Sequence, residues 1–246
     1  MTHKTNGIVL RSIKYGETSL VVTIFTELFG VQTYMVNGAR TNKKTAKAFL
    51  YQPAAILELD VYHNDLKKMH RIREANWGFL YSTILSDVIK NSIALYMVEL
   101  LYKILKQPEH NTDMYHFSED ALKHLDHASN NIAANFPLYF SLHLAHFLGF
   151  KISNPYRRPD AGKIYIDLVE GIFTDQQPAH QHFIEGENAL ITSELLKVMQ
   201  PGELDEVKLN HLKRRELLLN YQDYYALHIQ DFGEMKTLKI LQEVLG

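Results

Sequence analysis

The feature that most limits how this chain can fold is a change of hydrophobic period near Trp77. Before it, apolar residues alternate with polar ones in short runs, the two-residue period of a strand. After it they recur every three or four residues, the period of one helix face. A segment patterned for one period cannot hide its apolar residues in the other. A β part therefore comes first and a helical part follows, which makes the chain α+β.

Five runs before Trp77 read as strands: residues 7–15, 18–26, 31–36, 53–62 and 66–75. They are rich in Val, Ile, Thr, Tyr and Phe, which pack well on a pleated surface. Gly16, Gly30 and Gly38 mark turns between them. A short helix is expected at 45–51, stopped by Pro53. Five short strands with a helix between the third and fourth outline an OB barrel over residues 1–80, although an SH3-like barrel fits the same pattern. Beyond it, helices are expected at 84–104 (one or a pair, ended by Pro108), 113–128, 132–150, 193–199, 209–229 and 235–245, forming a bundle domain over 81–246.

The sequence lacks cysteine, which excludes disulfides and thiolate metal sites and fits a reducing compartment. The first residues lack the apolar core of a secretory signal, and no run is long enough to span a bilayer. A cytoplasmic protein is expected, with no membrane partner.

Charge is unevenly distributed. Residues 1–80 carry a formal +5 and residues 81–246 a formal −7. A basic β end suits a polyanion. Arg40, Lys43, Lys44 and Lys47 crowd one loop, Arg11 and Lys14 lie on the first strand, and Lys67, Lys68, Arg71 and Arg73 lie on the fifth. These ten are the candidate nucleic-acid-binding residues, neutralising phosphates along a groove. Tyr15, Tyr34, Tyr51 and Tyr62 are candidates to stack bases, or else to pack the barrel.

No motif for catalysis is present. The chain has no Gly-x-Ser-x-Gly elbow, no phosphate-cradling glycine loop ending in Lys-Ser/Thr and no His-Glu-x-x-His. His124/His127 and His143/His146 share helix faces but lack the glutamates of a di-metal bundle. No catalytic residue, metal ligand or cofactor is assigned. The segment 208–215 (KLNHLKRR) is a basic island in an acidic region.

Several of these pieces recur in one family. Glu17-Thr18-Ser19-Leu20, Phe25-Thr26-Glu27, Gly30, Gly38-Ala39-Arg40, Lys43-Lys44 and Gln52-Pro53 together resemble the N-terminal domain of the RecO recombination mediators. Phe140-x-Leu142-x-Leu144 with Leu148-Gly149-Phe150, and Tyr221 to Ile229 followed by Leu238-Lys239-x-Leu241, resemble its helical part. The resemblance implies a DNA repair protein that binds single- and double-stranded DNA without ATP and anneals strands. It also implies help in loading recombinase onto DNA coated by single-stranded DNA-binding protein, with a RecR-like mediator as partner. The acidic-hydrophobic tail of the single-stranded DNA-binding protein would then meet Lys213, Arg214 and Arg215.

One departure stands out. Many members carry a four-cysteine zinc ribbon after the Leu-Gly-aromatic signature, and residues 151–186 here hold none. Residues 163–175 still read as a hairpin, expected to persist without metal on the packing of Tyr165, Ile172 and Phe173. A replacement site would need His180 and His182 with Asp160 or Asp175. The rival readings are an RNA-binding OB protein, a metal-dependent hydrolase built on helical histidines, and a pure scaffold whose basic end is incidental.

Overall fold

The computed structural model describes residues 2–40, 47–153 and 164–245. Five strands close into a barrel: β1 (Thr2–Tyr15), β2 (Ser19–Thr26), β3 (Gly30–Val36), β4 (Ile56–Tyr62) and β5 (His70–Phe79). The order is β1-β2-β3-β5-β4, with β4 returning to β1 and β3 running parallel to β5. This is the OB topology, with a 3-10 turn at Lys47–Tyr51 between β3 and β4. Inward positions follow the alternation: Val22, Ile24, Tyr34, Leu57, Leu59 and Val61 fill the interior. Gly30 sits at φ +63°, and a Cβ there would strike the backbone of Glu109, so this turn needs glycine twice over.

The strands differ from expectation at their ends, each time for a local reason. β1 begins at Thr2 because residues 2–8 pair with β4 and close the barrel, although their polar sequence hides the role. β5 begins at His70 instead of 66. Asn64 forms an Asx turn, its side chain accepting from the Leu66 N–H (2.9 Å) and its carbonyl from the Lys67 N–H (2.9 Å). That turn leaves Leu66 94% exposed and puts Lys67 and Lys68 on the β4–β5 loop. β5 then continues through Trp77, which lies opposite Leu57.

Six helices follow among the described residues: α1 (Val88–Ile104), α2 (Thr112–His127), α3 (Asn130–Leu144), α4 (Gly186–Lys197), α5 (His211–His228) and α6 (Lys236–Val244). Ile84, expected in the first helix, lies ahead of it. The buried Asp126 carboxylate accepts the N–H groups of Ser82 (2.7 Å), Thr83 (2.8 Å) and Ile84 (2.9 Å), which holds that segment out of helical pairing. Asp87 then opens α1, accepting from Ile89 (2.8 Å) and Lys90 (3.0 Å). The third helix stops at Leu144 and tightens to a 3-10 turn, Ala145–Leu148, before Gly149 at φ +80°. α4 starts at Gly186, ahead of the expected 193.

The cysteine-free insert forms a hairpin, β6 (Tyr165–Asp167) and β7 (Ile172–Thr174), to which β8 (Phe183–Glu185) adds a third strand in the order β7-β6-β8. Tyr165 and Ile166 on the central strand are buried. Ile172, expected to pack inward, lies on the edge strand β7 and is 44% exposed.

The chain divides into two compact units. One comprises Met1–Leu85 and Val98–Asp126, the other Ser86–Met97 and His127–Gly246. In the first, Phe25 of β2 meets Tyr115 of α2 edge to face at 5.5 Å. In the second, buried tyrosine hydroxyls find partners: Tyr225 donates to the Ser141 carbonyl (2.8 Å) and Tyr221 pairs with Thr192 (2.9 Å).

Candidate nucleic-acid interface

The outer surface of β2 and β3, with the β1–β2 and β4–β5 loops, is the part of an OB barrel suited to a nucleic-acid strand. Here strand register writes it out in rows. Arg11, Thr23 and Thr33 lie side by side across β1, β2 and β3. The next row runs Ile13, Val21, Met35, Arg71 and Tyr62, crossing from β1 to β4 by way of β5. This second row is apolar at Ile13, Val21 and Met35, cationic at Arg71 and aromatic at Tyr62, and Ile13, Tyr62 and Arg71 are exposed.

The ten candidate cations fall into distinct settings. Lys43 and Lys44 lie outside the described residues. Arg40 is exposed beside the β1–β2 turn, its guanidinium donating to the Gly16 carbonyl (3.4 Å) and its N–H to that of Thr18 (3.0 Å). Lys14 stands on the strand entering the same turn, opposite Leu20. Lys47 opens the 3-10 turn, which Ala48 anchors by donating to the Ala39 carbonyl (3.1 Å).

Lys67 and Lys68 line a groove of about 680 Å³ with Thr23, Thr33, Tyr102 and Lys106. Arg11 reaches the same place, donating to the Tyr102 hydroxyl at 2.9 Å. Arg73 is held by Asp60 at 3.1 Å. Lys14, Lys47, Lys67, Lys68 and Arg71 make no ion pair among the described residues.

Two contributors escape sequence reading. Lys106 lies just past the end of α1, with no charge cluster to mark it. A column of rings also backs the β4–β5 loop: Phe29 stacks on His63 (3.9 Å), and His63 stacks on His70 (4.7 Å). Histidines 63 and 70 flank the loop in sequence, and that flanking was the only available signal.

The tyrosines separate cleanly. Tyr34 and Tyr51 are core residues, and burial pushes the Tyr51 phenol up to about 12. Burial raises Tyr34 too. Tyr15 and Tyr62 are 59% and 50% exposed and remain able to meet a base.

In the helical unit, α5 carries the basic island. Lys213 is drawn to Glu187 (3.1 Å) and Glu216 (3.4 Å). Arg214 donates to Asn135 Oδ1 (2.9 Å), whose amide in turn donates to the Leu204 and Val207 carbonyls. Arg215 is exposed with no such partner among the described residues. His180 pairs with Asp167 at 3.2 Å, and Asp160 lies outside the described residues. Among the described residues no group of three or more His, Asp or Glu side chains is placed to hold a metal ion, and no helix is long and apolar enough to cross a membrane.

The chain is similar to known proteins over its full length. Residues 1–79 match the family model for the Recombination protein O N terminal, and residues 85–153 that for its C terminal. The chain is 29% identical over 247 residues to the DNA repair protein RecO of Phocaeicola vulgatus, covering 100% of each. It is 31% identical over 246 residues to that of Bacteroides fragilis, covering 99% of each. For the Flavobacterium johnsoniae protein of the same name the identity is 31% over 254 residues, covering 100% of each. With a barrel of OB topology, a helical body behind it in sequence and full-length similarity to these relatives, the chain belongs to the RecO family of DNA repair and recombination proteins.

Proposed function

We propose that this protein is an ATP-independent recombination mediator that binds single- and double-stranded DNA on its barrel, anneals complementary strands and helps load recombinase. Its DNA would be coated by single-stranded DNA-binding protein, and a RecR-like mediator would act beside it. The observation that carries this reading is the set of unpaired cations, Lys67, Lys68 and Arg71, on the loop and strand that flank the β2–β3 surface. A cation held by a carboxylate has little left for phosphate. These three carry no such partner. Lys14, Arg40 and Lys47 supply further charge around the β1–β2 turn.

Charge screening then gives annealing a physical basis. Two phosphate backbones repel, and cations between them lower that cost so that base pairing can nucleate. Contact with about five phosphates gives a slope of log K against log salt near −3.5 to −4.5. In the helical unit, Arg215 is the cation left available to the acidic tail of the single-stranded DNA-binding protein.

The test is strand annealing on DNA pre-coated with single-stranded DNA-binding protein, in the absence of nucleotide. Annealing by the wild type, and its loss in Lys67→Ala/Lys68→Ala/Arg71→Ala, supports the reading. Full annealing by the triple variant, with an unchanged salt slope, removes these residues from the interface.

A further inference from the structure

Sharing Lys67 with the lysine groove is a cavity of about 890 Å³, within the size range of small-ligand pockets. Met35, Tyr62 and Met69 give it an apolar wall, and Lys67 and Arg71 supply two cations. Register places Arg71 between Met35 on β3 and Tyr62 on β4. Tyr62 is 50% exposed and Met69 43% exposed, so a flat aromatic face and a polarizable thioether stand open to solvent. Neither cation makes an ion pair among the described residues.

The back of the cavity is firm. His63 and His70 line it, stacked on each other, with Phe29 stacked behind His63. His70 is 4% exposed, and its Nδ1, like that of His63, has no hydrogen-bond partner. Two buried imidazole nitrogens without partners are costly for a surface that only needs to close a barrel.

An exposed π-face, two thioethers and two free cations in one hollow match a ligand that is flat at one end and anionic at the other. We propose that this cavity takes one unstacked base of a single DNA strand, with Tyr62 on the face of the base and Lys67 and Arg71 on its phosphates. The inference rests on the DNA-binding reading above and deepens it. A base within a duplex is stacked on both sides and paired, so it cannot enter. The cavity therefore favours single strands, whereas the lysine groove serves either form.

The experiment measures binding by fluorescence anisotropy at fixed salt on three equal-length ligands: a thymidine oligonucleotide, an abasic sugar-phosphate strand and a duplex. Tyr62→Leu, Tyr62→Phe and Lys67→Ala/Arg71→Ala are compared with wild type, each with its thermal melt as a folding control. Tyr62→Leu should lose about 5- to 150-fold on the thymidine strand alone, the range for one stacked base, and Tyr62→Phe should retain wild-type binding. Lys67→Ala/Arg71→Ala should weaken all three ligands. The inference is overturned if Tyr62→Leu binds the thymidine strand as wild type does, or if wild type binds the abasic strand equally well. Should the double charge variant also bind normally, the DNA-binding reading falls with it.

Discussion

Arg11 on β1 is fixed by Tyr102 in two ways: its guanidinium donates to the phenol oxygen at 2.9 Å and its Cζ lies 5.3 Å from the ring centroid. The pair orients a cation beside the lysine groove, since Tyr102 is part of that groove's wall. An arginine held this way loses little freedom on meeting a phosphate, but it also has fewer donors to offer. Arg11→Ala should therefore reduce the salt slope for single-stranded DNA by less than the roughly 0.7 expected of a full phosphate contact, and Tyr102→Phe should raise it toward that value. Titrations at four salt concentrations decide the matter. A larger loss in Arg11→Ala than in Lys67→Ala would reverse the ranking.

Asp126 gives the sharpest stability prediction. Its carboxylate is 0% exposed and receives three successive backbone N–H groups. Burial alone would raise its pKa, but the N–H groups of Ser82, Ile84 and Thr83 outweigh burial and hold it below the usual carboxylate range. A depressed carboxyl pKa stabilises the fold above the unfolded value, near 4, and that contribution fades as pH falls through the lower folded value. Asp126→Ala orphans buried donors and should cost about 3 kcal/mol in urea unfolding at neutral pH. It should also flatten the acid limb below about pH 4. An unfolding midpoint within error of wild type would show that water satisfies the segment instead.

His70 supplies the other pH dependence, and its sign is the same for a different reason. Burial lowers its pKa, His63 lowers it further, Asp65 opposes this, Lys67 adds to the lowering and the Tyr62 backbone opposes it. The folded chain therefore takes up its proton later than the unfolded chain does. Stability is full above the unfolded value of about 6.5 and declines as pH falls below it. His70→Phe preserves a ring in the stack and removes the titration. Melting temperature measured from pH 8 to pH 5 should fall less in His70→Phe than in wild type. Parallel curves would mean that His70 is protonated equally in both states.

The barrel was legible because alternation is strict wherever a strand has one wet face, as in β4, where Leu57, Leu59 and Val61 point inward and Glu58 and Tyr62 outward. It failed where pairing, not burial, makes the strand. Residues 2–6 of β1 are polar and belong to the sheet only because β4 needs a partner there. The setting of each candidate cation was half legible. Lysines and arginines announce charge, but whether a given one is free depends on contacts distant in sequence. Asp60 claims Arg73 and Tyr102 claims Arg11, and neither choice shows in local pattern. The reverse held for tyrosine: Tyr34 and Tyr62 look alike in sequence, yet one is wholly buried and the other half open.

The basic island of α5 separates structure from recognition within two adjacent residues. Arg214 holds Asn135, which is 1% exposed and bridges to the carbonyls of Leu204 and Val207. Removing the guanidinium leaves a buried amide oxygen without its donor, so Arg214→Ala should destabilise the helical unit by about 1–2 kcal/mol. Arg215 makes no such bond, and Arg215→Ala should melt as wild type does. If Arg215 receives the acidic tail of the single-stranded DNA-binding protein, a peptide of that tail should bind Arg215→Ala about 10-fold more weakly, as for loss of one charge-assisted hydrogen bond. Calorimetry with the peptide, beside thermal melts of both variants, tests each half independently. Unchanged peptide binding in Arg215→Ala would move the tail's contact elsewhere on the helical unit while leaving the structural role of Arg214 intact.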